Sequence, residues 1–230
     1  MIKIKNTDVY GFEAAIRGMR NPMNSWDKSD STWDMVCDED RELTESGEHI
    51  YQTICRDEFE VGANDLKLMQ NLSRAGNDHA KFLRMINVTV DITAPLYWWK
   101  EFDTYKVGTV ANSCSTMHKI HDKEFTLDDF SHEHLGVEEI ELLKHIIRYL
   151  NGERIEYLKS KDKDYWWHLI QLLPSSYNQK RTVQLNYQVL KSMYFARRNH
   201  RLDEWHTLCD WMLTLPHFRE VCVDVVDKTD

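Results

Sequence analysis

Apolar residues recur along the chain with two spacings, one typical of helices and one typical of strands. Helical spacing over Val9 to Arg20, Asn64 to Ala75 and Gly136 to Tyr149 predicts three amphipathic helices. Alternation with β-branched residues predicts strands over Met1 to Lys5 and Leu83 to Ile92. The same two patterns predict a strand over Arg181 to Leu185 and helices over Tyr165 to Leu173, Val189 to Arg198 and Leu202 to Leu215.

Helix outweighs strand in this pattern, so the fold class we predict is α+β, a mixed and helix-rich single domain over residues 1–230. Hydrophobic residues make up 42% of the chain, with eight Trp and ten Tyr, which is enough for one packed core. From about residue 21 to residue 57 the chain is acidic and follows neither spacing. We therefore expect an irregular acidic insert there, with Trp26 and Trp33 as its anchors.

The stretch from Thr104 to His118 is the longest one without a helical period. It follows a helix predicted to begin after Pro95, and it is rich in Ser, Thr, Asn and Gly. Small hydroxyl and amide side chains beside a glycine allow a polar ligand to approach the backbone closely. Two interpretations stay open at this point, a binding loop and an ordinary polar surface connection.

The net charge bears on the kind of partner, and the cysteines bear on the compartment of the protein. A net charge of −9 disfavours broad binding to nucleic acid or to an anionic membrane, but it is compatible with a small basic pocket for a phosphorylated ligand. No apolar stretch approaches the length that spans a bilayer. The absence of Cys-x-x-Cys spacing and of a signal peptide predicts reduced thiols in a cytoplasmic protein. The five dispersed cysteines are Cys37, Cys55, Cys114, Cys209 and Cys222.

Metal-dependent or thiol-dependent hydrolysis is the weaker alternative. The pairs His118 with His121 and His132 with His134 supply too few ligands for a typical metal site, so no metal is expected. Cys114 lies within the polar stretch, where a nucleophilic thiol is conceivable. A catalytic thiol needs a neighbouring base or a positive field, however, and a small packed residue is the preferred interpretation.

Several residues and short motifs, taken in order along the chain, resemble those of the flavin-dependent thymidylate synthase family. In that family a histidine precedes a strand, an Ala-Pro opens a helix, and a Ser- and Asn-rich loop follows; a Leu-Pro, an asparagine at a strand end and a helix ending in a catalytic arginine come later. The resemblance covers about residues 64–215, weakly over 136–163 and hardly over 21–57. The matching residues here are His79, the strand Met85 to Ile92, Ala94-Pro95, Asn112, Ser115, Leu173-Pro174, Asn186 and Arg197.

The defining basic residues of the family are mostly replaced in this chain. Thr104-Tyr105-Lys106 stands where the family has Arg-His-Arg, and Met117 takes the place of the arginine that closes the loop motif. Gln188 replaces an arginine, and Glu101 replaces a glutamine. Arginine binds a phosphate through two parallel hydrogen bonds, which Met or Thr cannot reproduce. These losses predict weakened binding of a nucleotide monophosphate unless other residues compensate.

The resemblance implies a homotetramer with FAD at its subunit interfaces and the reductive methylation of dUMP to dTMP. NADPH would reduce the flavin and methylene-tetrahydrofolate would supply the carbon, so that the partners are a small nucleotide and a folate. No enzyme cysteine attacks the pyrimidine in this chemistry. The alternative is a diverged member of the family that keeps the fold and the oligomer but binds a different nucleotide or has lost catalysis.

The resemblance also implies roles for individual residues. Arg197 would polarise the uracil ring, and Ser115 is the second residue implied to be catalytic. The residues implied to face the flavin are His79, Thr104, Tyr105, Lys106, Asn186, Gln188 and Ser192. Those implied to face the substrate are Glu101, Asn112, Ser113, Cys114, Ser115 and Arg197, and no residue is assigned to a metal.

Overall fold

The computed structural model describes residues 2–43 and 49–226, without the side chains of 38–43, 49–52 and 54. The six described strands are β1 Lys3–Tyr10, β2 Thr32–Leu43, β3 His49–Glu60, β4 Asn87–Pro95, β5 Val110–Ser113 and β6 Asn178–Asn186. The seven described α-helices are α1 Phe12–Arg20, α2 Ala63–Arg74, α3 Leu96–Phe102, α4 Val137–Ser160, α5 Lys163–Leu172, α6 Tyr187–Arg197 and α7 Asp203–Met212. Helix exceeds strand, so the predicted mixed, helix-rich fold class is confirmed.

The described residues divide into two compact units. We call residues 2–9 and 87–216 the sheet unit, and residues 10–43, 49–86 and 217–226 the hairpin unit. Each unit is discontinuous in sequence, because the chain leaves the sheet unit after its first strand and returns to it at β4. The prediction of a single domain is not decided by this division and stays a prediction.

A four-stranded sheet with the order β1-β4-β6-β5 forms the centre of the sheet unit. Strands β4 and β6 are antiparallel, and their register places Val90 opposite Val183. Alternate residues of β4 are fully buried, which is the pattern of a strand with one face against a core. Strand β4 begins at Asn87 instead of Leu83 because residues 81–84 form a turn of 3-10 helix.

Helix α3 supplies the aromatic core of the sheet unit. Trp98 and Trp99 are completely buried, and Phe102 is almost so. The indole of Trp98 lies 4.9 Å from that of Trp205 in α7, measured between ring centroids. Leu96 begins α3 directly after Pro95, so these rings are fixed next to the end of β4. The polar stretch follows this helix.

The polar stretch is not a loop throughout. Its residues 110–113 form β5, which pairs antiparallel with β6 so that Ala111 lies opposite Val183. All four side chains of β5 are exposed. A strand of four exposed residues has no apolar alternation to reveal it, which is why the sequence pattern did not predict it.

The acidic segment 21–57 was expected to be irregular, and the structure differs. It contains β2 and most of β3, which form a separate two-stranded antiparallel sheet in the hairpin unit. Trp26 and Trp33 are about half exposed, 51% and 55%, so the prediction that they anchor the segment is wrong. Acidic residues are depleted in strands in general, and their abundance here concealed the strand pattern.

The cysteine prediction also needs a correction. The register of the two-stranded sheet places Cys37 directly opposite Cys55, and a disulfide joins them. The three cysteines that stay reduced are Cys114, which is exposed, and Cys209 and Cys222, which are buried. Spacing along the chain could not reveal the pair, because it depends on the register of two strands. Within residues 2–43 and 49–226, no helix is both long and apolar enough to cross a membrane.

Candidate functional site

Four side chains of the sheet unit converge around the arginine at the end of α6. The Nε of Arg197 donates a hydrogen bond to the Tyr105 hydroxyl at 3.0 Å, and its Nη1 donates to Oε2 of Glu101 at 3.0 Å. The indole Nε1 of Trp205 donates to the same carboxylate oxygen at 3.2 Å. The Nε2 of His200 lies 3.2 Å from that oxygen as well. We call these five residues the Arg197 cluster.

Aromatic rings support the guanidinium from the side of the core. The Cζ of Arg197 lies 4.8 Å from the ring centroid of Trp205, which is fully buried, and 5.6 Å from that of Tyr105. A guanidinium over an indole face gains electrostatic energy that increases as the pair is desolvated. The Arg197 side chain is 19% exposed, so it is held firmly and still reaches solvent.

Local backbone geometry defines the proton positions on His200. Its Nδ1 accepts a hydrogen bond from the backbone N–H of Leu202 at 3.2 Å. Nδ1 is therefore unprotonated in this arrangement, and Nε2 carries the proton that points to Glu101. The carboxylate thus receives three donors on one oxygen, which fixes its orientation. His200 also lies in the wall of an open cavity of about 490 Å³ beside the end of α6 and one face of α7.

A second arginine ties β6 to the end of α3. The Nη1 of Arg181 donates to Asp103 at 2.7 Å and its Nε donates to Oε1 of Gln179 at 3.0 Å. Its Cζ lies 4.2 Å from the ring centroid of Trp99. The side-chain amide of Gln179 in turn donates to the carbonyl of Cys114 at 2.8 Å. The polar stretch is thereby fastened to the sheet at its second half.

The first half of the polar stretch lies against the start of α6 at Gly108. Gly108 has a φ of +76°, and a Cβ atom there would lie 3.1 Å from Cγ2 of Val189 and 3.3 Å from Nδ2 of Asn186. Only a glycine accepts both this conformation and this close approach without strain. The side-chain oxygen of Asn186 caps α6 by accepting from the backbone N–H of Val189 at 3.1 Å. Gln188 follows in the first turn, and its buried Oε1 has no hydrogen-bond partner among the described residues.

The structure brings together three of the predicted site residues, namely Glu101, Tyr105 and Arg197. Two other predicted site residues form hydrogen bonds with backbone groups near them in sequence. The hydroxyl of Thr104 donates to the carbonyl of Glu101 at 2.6 Å, and that of Ser192 donates to the carbonyl of Gln188 at 3.0 Å.

The remaining predicted residues lie outside the Arg197 cluster. The Ser115 hydroxyl accepts from the backbone N–H of His118 at 2.9 Å and so closes its own turn. Lys106 and Cys114 are exposed, and Asn112 and Ser113 lie on the exposed strand β5. His79 belongs to the hairpin unit, where its backbone N–H donates to the carbonyl of Gly76 at 3.0 Å and its side chain is exposed.

Five residues of these two arginine networks were not predicted from the sequence as site residues: Asp103, Gln179, Arg181, His200 and Trp205. Trp205 lay in a predicted helix, but an indole at helical spacing does not indicate contact with a carboxylate. His200 follows the helix end and has no pattern of its own. In residues 2–43 and 49–226, no three His, Cys, Asp or Glu side chains form a group that could hold a metal ion.

Comparison with known proteins identifies similarity in fold. No family model and no curated protein sequence matches the chain. It is similar to the crystal structure of thymidylate synthase X from Helicobacter pylori with FAD and dUMP, at 13% identity and a TM-score of 0.64, with 98% of this chain and 99% of that chain covered. A second structure of the flavin-dependent enzyme from the same organism, also complexed with FAD and dUMP, gives 14% identity and a TM-score of 0.63, with 97% and 99% covered. The fold of this chain is therefore that of flavin-dependent thymidylate synthases.

Proposed function

We propose that this protein is a flavin-dependent methyltransferase of the thymidylate synthase type, which converts dUMP to dTMP in the cytoplasm. It would use FAD, with NADPH as reductant and methylene-tetrahydrofolate as carbon donor, and would act as a homotetramer. One observation carries the proposal. Arg197 holds a fixed, largely buried guanidinium at the end of α6, and a fixed cation in a dry site stabilises negative charge that develops on a ring oxygen.

The start of α6 has polar groups that fit a flavin. The Oε1 of Gln188 is buried without a partner among the described residues, and such an acceptor favours a ligand that brings an N–H or O–H group. Lys106 is exposed and lies two residues before Gly108, which packs against this helix. Its ammonium group can therefore reach a phosphate. When bound, the flavin supplies the reducing equivalents. Gln188 would bind and orient it, while Lys106 would offset the charge of its phosphates.

Within the Arg197 cluster, four residues would have roles in this chemistry. Arg197 would donate to a carbonyl oxygen of the pyrimidine and draw electron density from the ring. Glu101 and Tyr105 hold the guanidinium at two of its nitrogens, so that it does not need to reorganise during the reaction. Trp205, fully buried beneath the guanidinium, keeps water from that side.

The second candidate is a diverged protein of the same fold that takes a different ligand. The observation in its favour is that cations near the polar stretch already have carboxylate partners. Arg181 is paired with Asp103 at 2.7 Å, and Lys180 is paired with Asp91 at 2.8 Å. A phosphate would have to compete with these carboxylates for its binding partners. A ligand with less negative charge than dUMP would avoid that competition.

The absorbance spectrum of the purified protein tests the proposal directly. We expect flavin bands in the protein as isolated or after addition of FAD, a perturbation of those bands by dUMP, and rescue of a thymidine-requiring host. The Arg197→Ala variant should still take up FAD but should not rescue the host. A colourless protein that takes up no added FAD would contradict the proposed function. Uptake of FAD without any response to dUMP would favour the second candidate.

A further inference from the structure

The Cys37–Cys55 disulfide lies in the middle of a sheet of two strands. Among the described residues no third strand pairs with β2 or β3, and we call these two strands the ribbon. Cys37 and Cys55 form the sixth of its twelve residue pairs, counted from Thr32 opposite Glu60. Both cysteines are exposed. A thiol in solution can therefore approach their S–S bond while the protein stays folded.

The end of the ribbon that joins the rest of the hairpin unit is fastened without the disulfide. The Ser31 hydroxyl, just before β2, accepts from the backbone N–H of Gly62, just after β3, at 2.9 Å. The same hydroxyl donates to the buried carboxylate of Asp65 at 2.7 Å. One residue pair into the ribbon, the rings of Trp33 and Phe59 lie 5.2 Å apart between centroids. These contacts do not involve either cysteine, so they persist when the S–S bond is broken.

The disulfide divides the ribbon into two parts that differ in support. We call residues 32–36 and 56–60 the base, and residues 38–43 and 49–54 the outer part. In a sheet of two strands alone, backbone pairing is marginally stable in water. The S–S bond closes a sequence separation of 18 residues, which removes open conformations of the outer part. The outer part therefore depends on the disulfide, whereas the base has contacts of its own.

We propose that Cys37 and Cys55 form a reversible redox site that a dithiol reduces, and that reduction opens the outer part of the ribbon while the base keeps its structure. This inference goes beyond the proposed function and does not rest on it, because no flavin, nucleotide or folate takes part.

The exchange proceeds through one mixed disulfide. A thiolate of the dithiol attacks one sulfur of the pair, the Cys37–Cys55 S–S bond breaks, and the cysteine that leaves takes up a proton. The second thiolate of the dithiol then displaces the other cysteine, which is protonated in turn, and the dithiol becomes a disulfide. Two electrons and two protons have passed to Cys37 and Cys55, which are now thiols. An excess of a disulfide oxidant reverses both steps.

Hydrogen exchange of the purified full-length protein tests the inference. Exchange is followed by mass spectrometry without denaturant, before and after addition of dithiothreitol. We expect the backbone amides of the outer part to exchange about 10- to 100-fold faster after reduction. Amides of the base should change by less than about 3-fold, and those of α2 and β4 should not change. Removal of dithiothreitol and addition of oxidised glutathione should restore slow exchange.

A second arm distinguishes a small dithiol from a protein dithiol. Thioredoxin replaces dithiothreitol, and alkylation with iodoacetamide followed by peptide mass spectrometry shows whether Cys37 and Cys55 have become thiols. Reduction by both reagents assigns the site to a protein dithiol. Reduction by dithiothreitol alone assigns it to a small dithiol.

Substitution of both cysteines removes the site without a reductant. The double variant Cys37→Ser with Cys55→Ser should exchange as the reduced wild type does and should not respond to dithiothreitol. Cys114→Ser is the matched control, because it removes an exposed thiol that lies outside the ribbon. In this variant the ribbon should keep the response of the wild type. Circular dichroism checks that each variant is folded, and the comparison of oxidised with reduced wild type does not depend on any variant.

Three results would overturn the inference. Reduction that requires a denaturant shows that the S–S bond is not accessible in the folded protein. Equal exchange of the outer part before and after reduction shows that its structure does not depend on the disulfide. Faster exchange in α2 and β4 together with the ribbon shows that the disulfide supports the whole fold and does not control a local opening. None of these results concerns the binding of FAD or dUMP, so the proposed function is tested separately.

Discussion

The guanidinium of Arg197 lies 3.0 Å from the carboxylate of Glu101, although 96 residues separate them in sequence. This contact joins the last turn of α3 to the last turn of α6. It turns an isolated cation into one end of an oriented pair, with the second end held by His200 and Trp205. The charge that the proposed chemistry needs is therefore preorganised, and it is also partly compensated.

Arg197→Lys tests whether the shape of the guanidinium matters in addition to its charge. A lysine keeps the positive charge, but it lacks the planar fork that contacts Tyr105 and Glu101 at once. Loss of one charged hydrogen bond corresponds to about 1.5–3 kcal/mol. We therefore expect kcat/KM for dUMP methylation to fall by about 10- to 150-fold, measured by product formation with FAD-loaded protein.

Arg17→Lys is the control for the same substitution at an exposed position. Arg17 is 66% exposed and pairs loosely with Glu13 at 3.9 Å, so its replacement should leave kcat/KM unchanged. If Arg197→Lys keeps wild-type kcat/KM under the same conditions, the planar guanidinium has no special role and a point charge is sufficient.

A buried ion pair joins the end of α1 to α2 in the hairpin unit, and its removal should lower the free energy of unfolding. Arg20 donates to Asp65 at 2.6 Å, with the two side chains 5% and 0% exposed. The other oxygen of Asp65 accepts from the hydroxyls of Ser29 and Ser31, each at 2.7 Å. Burial by itself would raise the pKa of Asp65, but the donors from Ser29, Ser31 and Arg20, with the charge of Arg20, outweigh burial and lower it.

Asp65→Asn leaves the buried Arg20 without its counter-charge. Breaking a buried pair by removing one partner costs about 3–5 kcal/mol, so we expect the free energy of unfolding, measured by urea denaturation, to fall by that amount. Glu13→Gln breaks the exposed pair with Arg17 and should cost less than about 1 kcal/mol. Equal effects of the two substitutions would show that the Arg20–Asp65 pair is not a principal support of this unit.

The amphipathic helices could be predicted because burial of one face imposes a period on the sequence. Helix α2, for example, was predicted over Asn64 to Ala75 and spans Ala63–Arg74. The Ala-Pro before α3 gave a second local signal. Strand β5 has no such signal. The two-stranded sheet of β2 and β3 conceals its own, because most of its described side chains are exposed.

The candidate site was predictable in part, and only through resemblance. Arg197 and Glu101 were singled out as residues that match or replace family positions. Their mutual contact was not predicted, since it depends on how α3 and α6 pack, and no local pattern encodes that. His200 and Trp205 complete the cluster from outside every motif. The hydroxyl of Ser115, in contrast, serves its own turn, which a motif match cannot reveal.

The cysteines should react with iodoacetamide in a defined order. Cys114 is exposed and should be modified first in the folded protein. Cys209 is buried, and burial together with the nearby Asp210 carboxylate raises its pKa to about 11, so little thiolate is present at neutral pH. Peptide mass spectrometry should find Cys114 alkylated without reductant, and Cys37 and Cys55 only after a reductant has opened their disulfide. Modification of Cys37 without reductant would contradict the disulfide, and Cys114→Ser should abolish the first reaction.

Asp91 on β4 should link the stability of the sheet unit to acid pH. Hydrogen bonds from Lys180, Thr182 and Asn6 lower the pKa of its carboxyl from 3.8 to about 2. A carboxyl with a lowered pKa in the folded state contributes stability above its ordinary pKa, and that contribution is lost as the pH falls from 3.8 to about 2. The free energy of unfolding should therefore decrease over this interval in the wild-type protein and change less in Asp91→Asn.

Asp128→Asn is the control at an exposed position, and its free energy of unfolding should depend on pH as that of the wild type does. Parallel slopes for wild type and Asp91→Asn, measured by urea denaturation at several pH values, would contradict the assignment of this linkage to Asp91.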